Sequence, residues 1–153
     1  MEKLIARNKK NEIIEFEVHK NGVCDCSFNN LIEIISIPNT VITLTCWGNS
    51  LTKLPTLPQS LISLYCQRNK LKSLPTLPNT LKNLYSYDNQ ITKLPKILPQ
   101  TLKYIDVAKN KLKEIYQELP INILSLNISN NDIYHFPNFK KYKRLRTLIM
   151  DKY

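Results

Sequence analysis

A β-rich solenoid is the fold class predicted here, and three observations predict it. Asparagine recurs at Asn29, Asn49, Asn69, Asn89, Asn110 and Asn131, at spacings of 20, 20, 20, 21 and 21 residues. Each sits in one frame of apolar positions: eight, five and three residues before it, and two and five after it. Leu61, Leu64, Cys66, Leu71 and Leu74 give that frame around Asn69. A proline then follows, as at Pro55, Pro75 and Pro95. A fixed period this short marks a chain in which each unit buries its apolar side only against its neighbours.

The elements of one unit follow from the frame. Apolar and polar residues alternate over the stretch from six to two residues before the asparagine, which is the period of a strand with one buried face. Every unit therefore contributes one short strand, and the strands stack in parallel. The asparagine lies just past the strand, where its amide can donate to and accept from turn backbone that would otherwise be buried unpaired. Six such residues predict a structural asparagine ladder. Prolines at Pro55 and Pro58, Pro75 and Pro78, and Pro95 and Pro99 exclude a helix on the return path and favour extended or polyproline geometry. Strands are about 4.8 Å apart and packed helices 8–10 Å, so extended returns keep the stack slender and gently bent.

The frame reaches beyond the obvious repeats. Cys24, Cys26, Asn29, Leu31 and Ile34 form a first unit that lacks only the apolar residue eight before its asparagine, and Leu145, Leu148 and Met150 supply a last strand, making about seven in the concave sheet. Upstream, Ile14, Phe16 and Val18 alternate with Glu15 and Glu17. Lys20-Asn21-Gly22 offers a three-residue turn that would pair Val18 with Cys24 and Phe16 with Cys26. An antiparallel strand over 12–19 is thus expected to close the N-terminal edge. The organisation is one structural domain: a cap over 1–20, repeats over 21–139, and a basic segment with the terminal strand over 140–153. A monomer is expected, with a dimer through strand 145–150 as the alternative, because no comparable cap covers that edge.

Composition bounds the class. The chain has 153 residues, 42% of them apolar, which suits one folded domain. No apolar run approaches the roughly 18 residues of a membrane span, and the first ten residues are too polar for a secretory signal. A cytoplasmic location is expected. The net charge is +10, and residues 140–153 hold six Lys or Arg against one Asp, so half of the excess lies there.

The phrase Leu-Pro-x-Leu-Pro-x-(Ser/Thr)-Leu-x-x-Leu-x-x-x-x-Asn-x-(Leu/Ile)-x-x-Leu-Pro, met over 54–75 and 74–95, resembles the short leucine-rich repeat of type III-secreted bacterial effectors. It is also similar to related repeats of giant viruses and amoebae. The resemblance covers roughly 21–150 and implies that a host or regulatory protein is bound on the concave sheet, in the host cytosol if the source is a virus or a secreted effector. Some members add a cysteine-dependent ubiquitin ligase domain after the repeats. This chain stops where that domain would begin, so the activity is not carried over, and the repeats then stand as the recognition part of such an effector.

Cys24-x-Cys26, Cys46 and Cys66 look like a metal set, but Cys26, Cys46 and Cys66 share the place that Ser86, Val107, Ile128 and Met150 take later. They are expected to be buried core residues, with no metal and no cofactor. His19 and His135 lie at opposite ends, and Asp25 and Asp106 are four strands apart, roughly 19 Å at sheet spacing, too far for paired acid-base work. No enzyme is expected. Asn127-Ile128-Ser129 matches a glycosylation sequon inside a strand and reads as accidental.

The outward positions are more informative. Trp47, Tyr65, Tyr85, Tyr87 and Tyr104 fall on neighbouring strands, with Arg68, Asp88 and Asp106 beside them. Rigid aromatics bury large area at low entropic cost, so these eight residues are the expected partner-binding patch. Lys140, Lys141, Lys143, Arg144 and Arg146 are the other candidate, since clustered cations attract phosphate. The expected function is a non-enzymatic protein-interaction module. Nucleic-acid binding through the basic segment is the alternative.

Overall fold

The computed structural model describes residues 2–115 and 118–151. Ten strands form two sheets: β1 Lys3–Asn8, β2 Ile13–Glu17, β3 Val23–Asp25, β4 Leu31–Ser36, β5 Thr43–Thr45, β6 Ser63–Tyr65, β7 Asn83–Tyr85, β8 Tyr104–Asp106, β9 Ser125–Asn127 and β10 Thr147–Ile149. The larger sheet runs β10-β9-β8-β7-β6-β5-β3, with every pairing parallel. This is the seven-stranded solenoid expected. A three-residue 3₁₀ turn, Phe139–Lys141, is the only helical element among the described residues.

Register follows the repeat. Cys24, Leu44, Leu64, Leu84, Ile105, Leu126 and Leu148 pair in sequence across the sheet, so one apolar column runs the length of the stack. A slip of one residue would turn every column member outward. The return segments add Leu51, Leu54 and Leu57 in one coil and Leu71, Leu74 and Leu77 in the next, all buried. Burying a leucine stabilises by roughly 2–3 kcal/mol, and each coil contributes several.

Hydrogen bonds then tie each coil to the following one in a repeated scheme. The carbonyls of Gly22, Ile42, Ile62, Lys82, Lys103 and Leu124 each accept two N–H groups from the next coil. Past the strand, the N–H groups of Cys26, Cys46, Cys66, Ser86, Val107 and Ile128 each donate to the next coil at 2.8–2.9 Å. The asparagines complete the turn. Asn69 Nδ2 donates to Cys46 O and Cys66 O at 3.1 Å, and its Oδ1 accepts from Leu51 N–H at 3.0 Å. Asn49, Asn89, Asn110 and Asn131 bridge two coils in the same way. Asn29 differs: its Nδ2 donates to Ser27 O within its own turn.

A second side-chain ladder lies on the return side. Ser60, Thr80 and Thr101 each donate a hydroxyl to two carbonyls of the preceding coil, as Thr80 does to Gln59 O and Leu61 O at 2.8 Å. Prolines mark the neighbouring turn. Pro38, Pro58, Pro78, Pro99 and Pro120 carbonyls accept from the N–H three residues on.

The N-terminal cap is antiparallel, but its pairing corrects the expectation from sequence. β2 pairs with β1, placing Phe16 opposite Leu4 and Ile14 opposite Ala6, and β1 pairs in turn with β4. The expected partners Cys24 and Cys26 belong to the parallel sheet instead. The turn at 20–22 has the expected length, with His19 N–H donating to Val23 O at 2.9 Å, yet no antiparallel ladder extends from it. Val18 nevertheless faces the core, as do Leu4 and Ala6 of the strand that replaces the expected partner.

Removing one ladder amide is expected to be costly. Asn69→Ala leaves Leu51 N–H, Cys46 O and Cys66 O short of a partner, and chemical denaturation should show a loss of about 2–4 kcal/mol.

Candidate functional site

The face of the sheet away from the apolar column carries the residues singled out above. In the coils from β3 to β9, the outward residues are Val23, Asp25, Ser27, Thr43, Thr45, Trp47, Ser63, Tyr65, Gln67, Asn83, Tyr85, Tyr87, Tyr104, Asp106, Ala108, Ser125, Asn127 and Ser129. None is Lys or Arg, although the chain holds 22 of them. The face is therefore aromatic, hydroxylic and mildly acidic on a basic molecule.

The aromatics divide into two groups. Tyr65 and Tyr85 stack with ring centroids 5.0 Å apart and planes within 8°, a separation set by the strand spacing beneath them. Burial raises the Tyr85 phenol above its ordinary pKa, with Tyr65, Asp106 and Tyr104 adding to the effect. Tyr85 lies directly between its cross-strand partners Tyr65 and Asp106. Trp47 instead meets Phe28 edge-on at 4.2 Å, and the Arg68 guanidinium lies 5.9 Å from the indole centroid. That distance is near the limit of a cation–π contact, about 0.5–1 kcal/mol at an exposed site. Tyr87 is half-buried and Tyr104 exposed. Neither joins a ring pair among the described residues.

Phe28 is the functional candidate that sequence reasoning missed. The residue just before each ladder asparagine takes a left-handed backbone: Phe28, Gly48, Arg68, Asp88, Lys109 and Asn130 have φ between 51° and 68°. This conformation is unfavourable for a bulky side chain, and Phe28 is 61% exposed besides. Its ring lies over Gly48, where an added Cβ would meet Phe28 Cε1 at 2.5 Å. Gly48 is the only glycine in that column, which was the available signal.

Asp106 is half-buried and sits beside the tyrosine stack. Its Oδ1 accepts from Ala108 N–H at 3.1 Å and its Oδ2 from Asn127 Nδ2 at 3.2 Å. Asp88 and Arg68 are exposed at the turn. Gln67 is buried between the two aromatic groups, and its Oε1 has no hydrogen-bond partner among the described residues.

The cysteines are all buried and free. Among the described residues no cluster of His, Cys, Asp or Glu could hold a metal ion. Burial pushes the Cys24 thiol up to about 11 and Cys66 to about 12, and raises Cys46 well above its ordinary value. Such thiols are poor nucleophiles and poor ligands at neutral pH. His19 and His135 are exposed, at opposite ends of the stack.

The basic segment forms a separate surface. Lys141 pairs with Glu118 and also approaches the Tyr142 ring at 5.3 Å. Lys143, Arg144 and Arg146 are exposed and line a shallow hollow with Leu124. Tyr142 is buried, and its hydroxyl accepts from Leu119 N–H at 3.1 Å, fixing the segment against the preceding coil.

No protein-family profile and no curated protein matches the sequence. Solved structures do. YopM from Yersinia enterocolitica is similar at 35% identity and a TM-score of 0.74, covering 78% of this chain and 26% of that one. The leucine-rich-repeat domain of a Shigella effector is similar at 30% identity and 0.74, covering 78% and 54%. The functional domain of InlJ from Listeria monocytogenes, described as including a cysteine ladder, is similar at 28% identity and 0.73, covering 81% and 28%. This chain spans about a quarter to a half of those structures. No helix among the described residues is long and apolar enough to cross a membrane.

Two measurements check this geometry. Gly48→Ala should displace the Phe28 ring and change the fluorescence of Trp47, the only tryptophan, with a stability loss of about 1–3 kcal/mol. For the thiols, the folded pKa lies above the unfolded one, so stability is full below about pH 9 and falls as pH rises towards about 11 and 12, where Cys24 and Cys66 ionise in the fold. Urea unfolding at pH 8 and 10.5 should show this fall, and Cys46→Val should reduce it.

Proposed function

We propose that this chain, a leucine-rich-repeat solenoid whose 20- and 21-residue coils resemble those of bacterial effector proteins, is a non-enzymatic module that binds a protein partner on the outer face of its parallel sheet. The observation that carries the reading is the aromatic surface. Trp47, Tyr65, Tyr85, Tyr87 and Tyr104 stand on backbone held rigid by ladders on both sides, so little side-chain freedom is lost when a partner covers them. Arg68, Asp88 and Asp106 supply polar contacts around that centre.

Phe28 belongs to the same surface. Its ring extends the Trp47 platform by one coil and is 61% exposed, on the left-handed turn position that every coil shares. The sheet face lacks Lys and Arg, which favours a protein over a nucleic acid there, because phosphate binding needs cations in contact. Buried, protonated cysteines and separated carboxylates support the absence of catalysis. The structural neighbours are repeat proteins, in keeping with an interaction module.

Affinity capture from a host-cell lysate, with and without nuclease, tests the reading. The double variant Trp47→Ala, Tyr85→Ala should weaken the captured interaction by at least about 30-fold while the melting temperature moves by only a few degrees. Retention of the partner by that variant, or its loss on nuclease treatment, overturns it.

A further inference from the structure

One outward column of the large sheet runs Asp25, Thr45, Tyr65, Tyr85, Asp106 and Asn127, each the cross-strand partner of the next. Its two rings stack, and then the ladder of rings stops. Tyr65 lies 5.0 Å from Tyr85 with planes within 8°, so it covers one face of the Tyr85 ring and turns the other towards β8. The next residue there is Asp106, whose side chain is too short to form a third layer. Above its carboxylate a slot one strand spacing wide, about 4.8 Å, is left beside the Tyr85 face.

The charge in that slot has no counterion. Asp106 joins no ion pair among the described residues, and the outward positions from β3 to β9 hold no Lys or Arg that could reach it. Asp25, at the start of the column, is exposed and left to water, whereas Asp106 is half-buried, which strengthens its pull on an arriving cation. Asp151 differs again, being engaged by the N–H groups of Asn130 and Asn131. The Asp106 carboxylate is also held in place. Its Oδ1 accepts from Ala108 N–H in the turn and its Oδ2 from Asn127 Nδ2 on β9. Each carboxylate oxygen can accept about two hydrogen bonds, so both keep an acceptor site, and neither existing donor comes from the Tyr85 side.

We propose that the protein partner of this face inserts an arginine side chain into the slot, its guanidinium stacked on Tyr85 as the third layer after Tyr65 and forked onto both oxygens of Asp106. The inference rests on the assignment of the face to a protein partner and adds the chemistry of its central polar contact. A lysine ammonium meets the carboxylate but has no plane to lay against the ring, so the slot selects guanidinium. Because Tyr85 and Asp106 are already fixed by Tyr65, Ala108 and Asn127, binding costs the site little side-chain freedom.

N-acetyl-arginine amide is the probe, with the citrulline compound, equal in shape and uncharged, and the lysine compound as controls. Titrated at millimolar concentrations into the 13C-labelled protein, the arginine compound should shift the Asp106 carboxyl carbon and the Tyr85 ring signals saturably. Its affinity should exceed that of citrulline by at least about tenfold, and that of lysine by a smaller factor. Asp106→Asn should remove the margin over citrulline, and Tyr85→Leu the margin over lysine. The comparison on the unaltered protein decides even where a variant fails to fold. Equal affinity of the three compounds, no saturable shift at Asp106, or arginine binding unchanged in Asp106→Asn overturns the proposal. Lysate capture separates this failure from that of the face as a whole. A partner lost by the Trp47→Ala, Tyr85→Ala variant but fully retained by Asp106→Asn leaves the face assigned and removes the arginine, whereas a loss of at least about tenfold in Asp106→Asn, with the melting temperature nearly unchanged, supports it.

Discussion

The asparagine side chain just past each strand is the constraint on which the stack depends. A coil of 20 residues must reverse direction sharply, and doing so strips three or four main-chain groups of water with no helix or long ladder to receive them. From Asn49 to Asn131, one amide satisfies the carbonyl of its own coil, the carbonyl of the coil before, and an N–H of that preceding coil. No other side chain has this combination of donor and acceptor at such short reach. The hydroxyls of Ser60, Thr80 and Thr101 perform a lesser version on the return side, taking two carbonyls each. Strand register, the apolar column and the outward display of aromatics all follow once the turn is held.

The repeat itself was legible because its period is written in residues with one structural use. Asparagine and leucine at fixed offsets located every strand of the large sheet, and the burial of Cys26, Cys46 and Cys66 followed from their place in the frame. The cap was less legible for a physical reason. β1 reads Lys-Leu-Ile-Ala-Arg-Asn, where only Leu4 and Ala6 mark the buried side, and alanine is a weak strand signal. β4 occupies the stretch that later repeats use for an unpaired extended return, so the same frame gave no hint that Leu31–Ser36 would become a strand. What made it one was the presence of β1 as a partner.

The outward face was readable as a set of residues and not as a set of contacts. Alternation fixes which side chains emerge and sets Tyr65 beside Tyr85 on adjacent strands, but the parallel stacking of their rings is a matter of rotamer that the pattern does not specify. The association of Phe28 with Trp47 crosses between turns, and depends on left-handed backbone at Phe28 and on the missing side chain of Gly48. Motif positions constrain the buried side chains tightly and leave these turn residues free, which is why the repeat pattern is silent there.

Each coil bonds only to the one before and the one after, in a scheme that is the same at every junction from Gly22 to Leu124. Such a molecule is modular along its axis: gain or loss of one whole unit would lengthen or shorten the platform without disturbing the chemistry of any surviving junction. Evolution can therefore adjust reach by duplication while tuning affinity through individual outward residues, and the two kinds of change do not interfere.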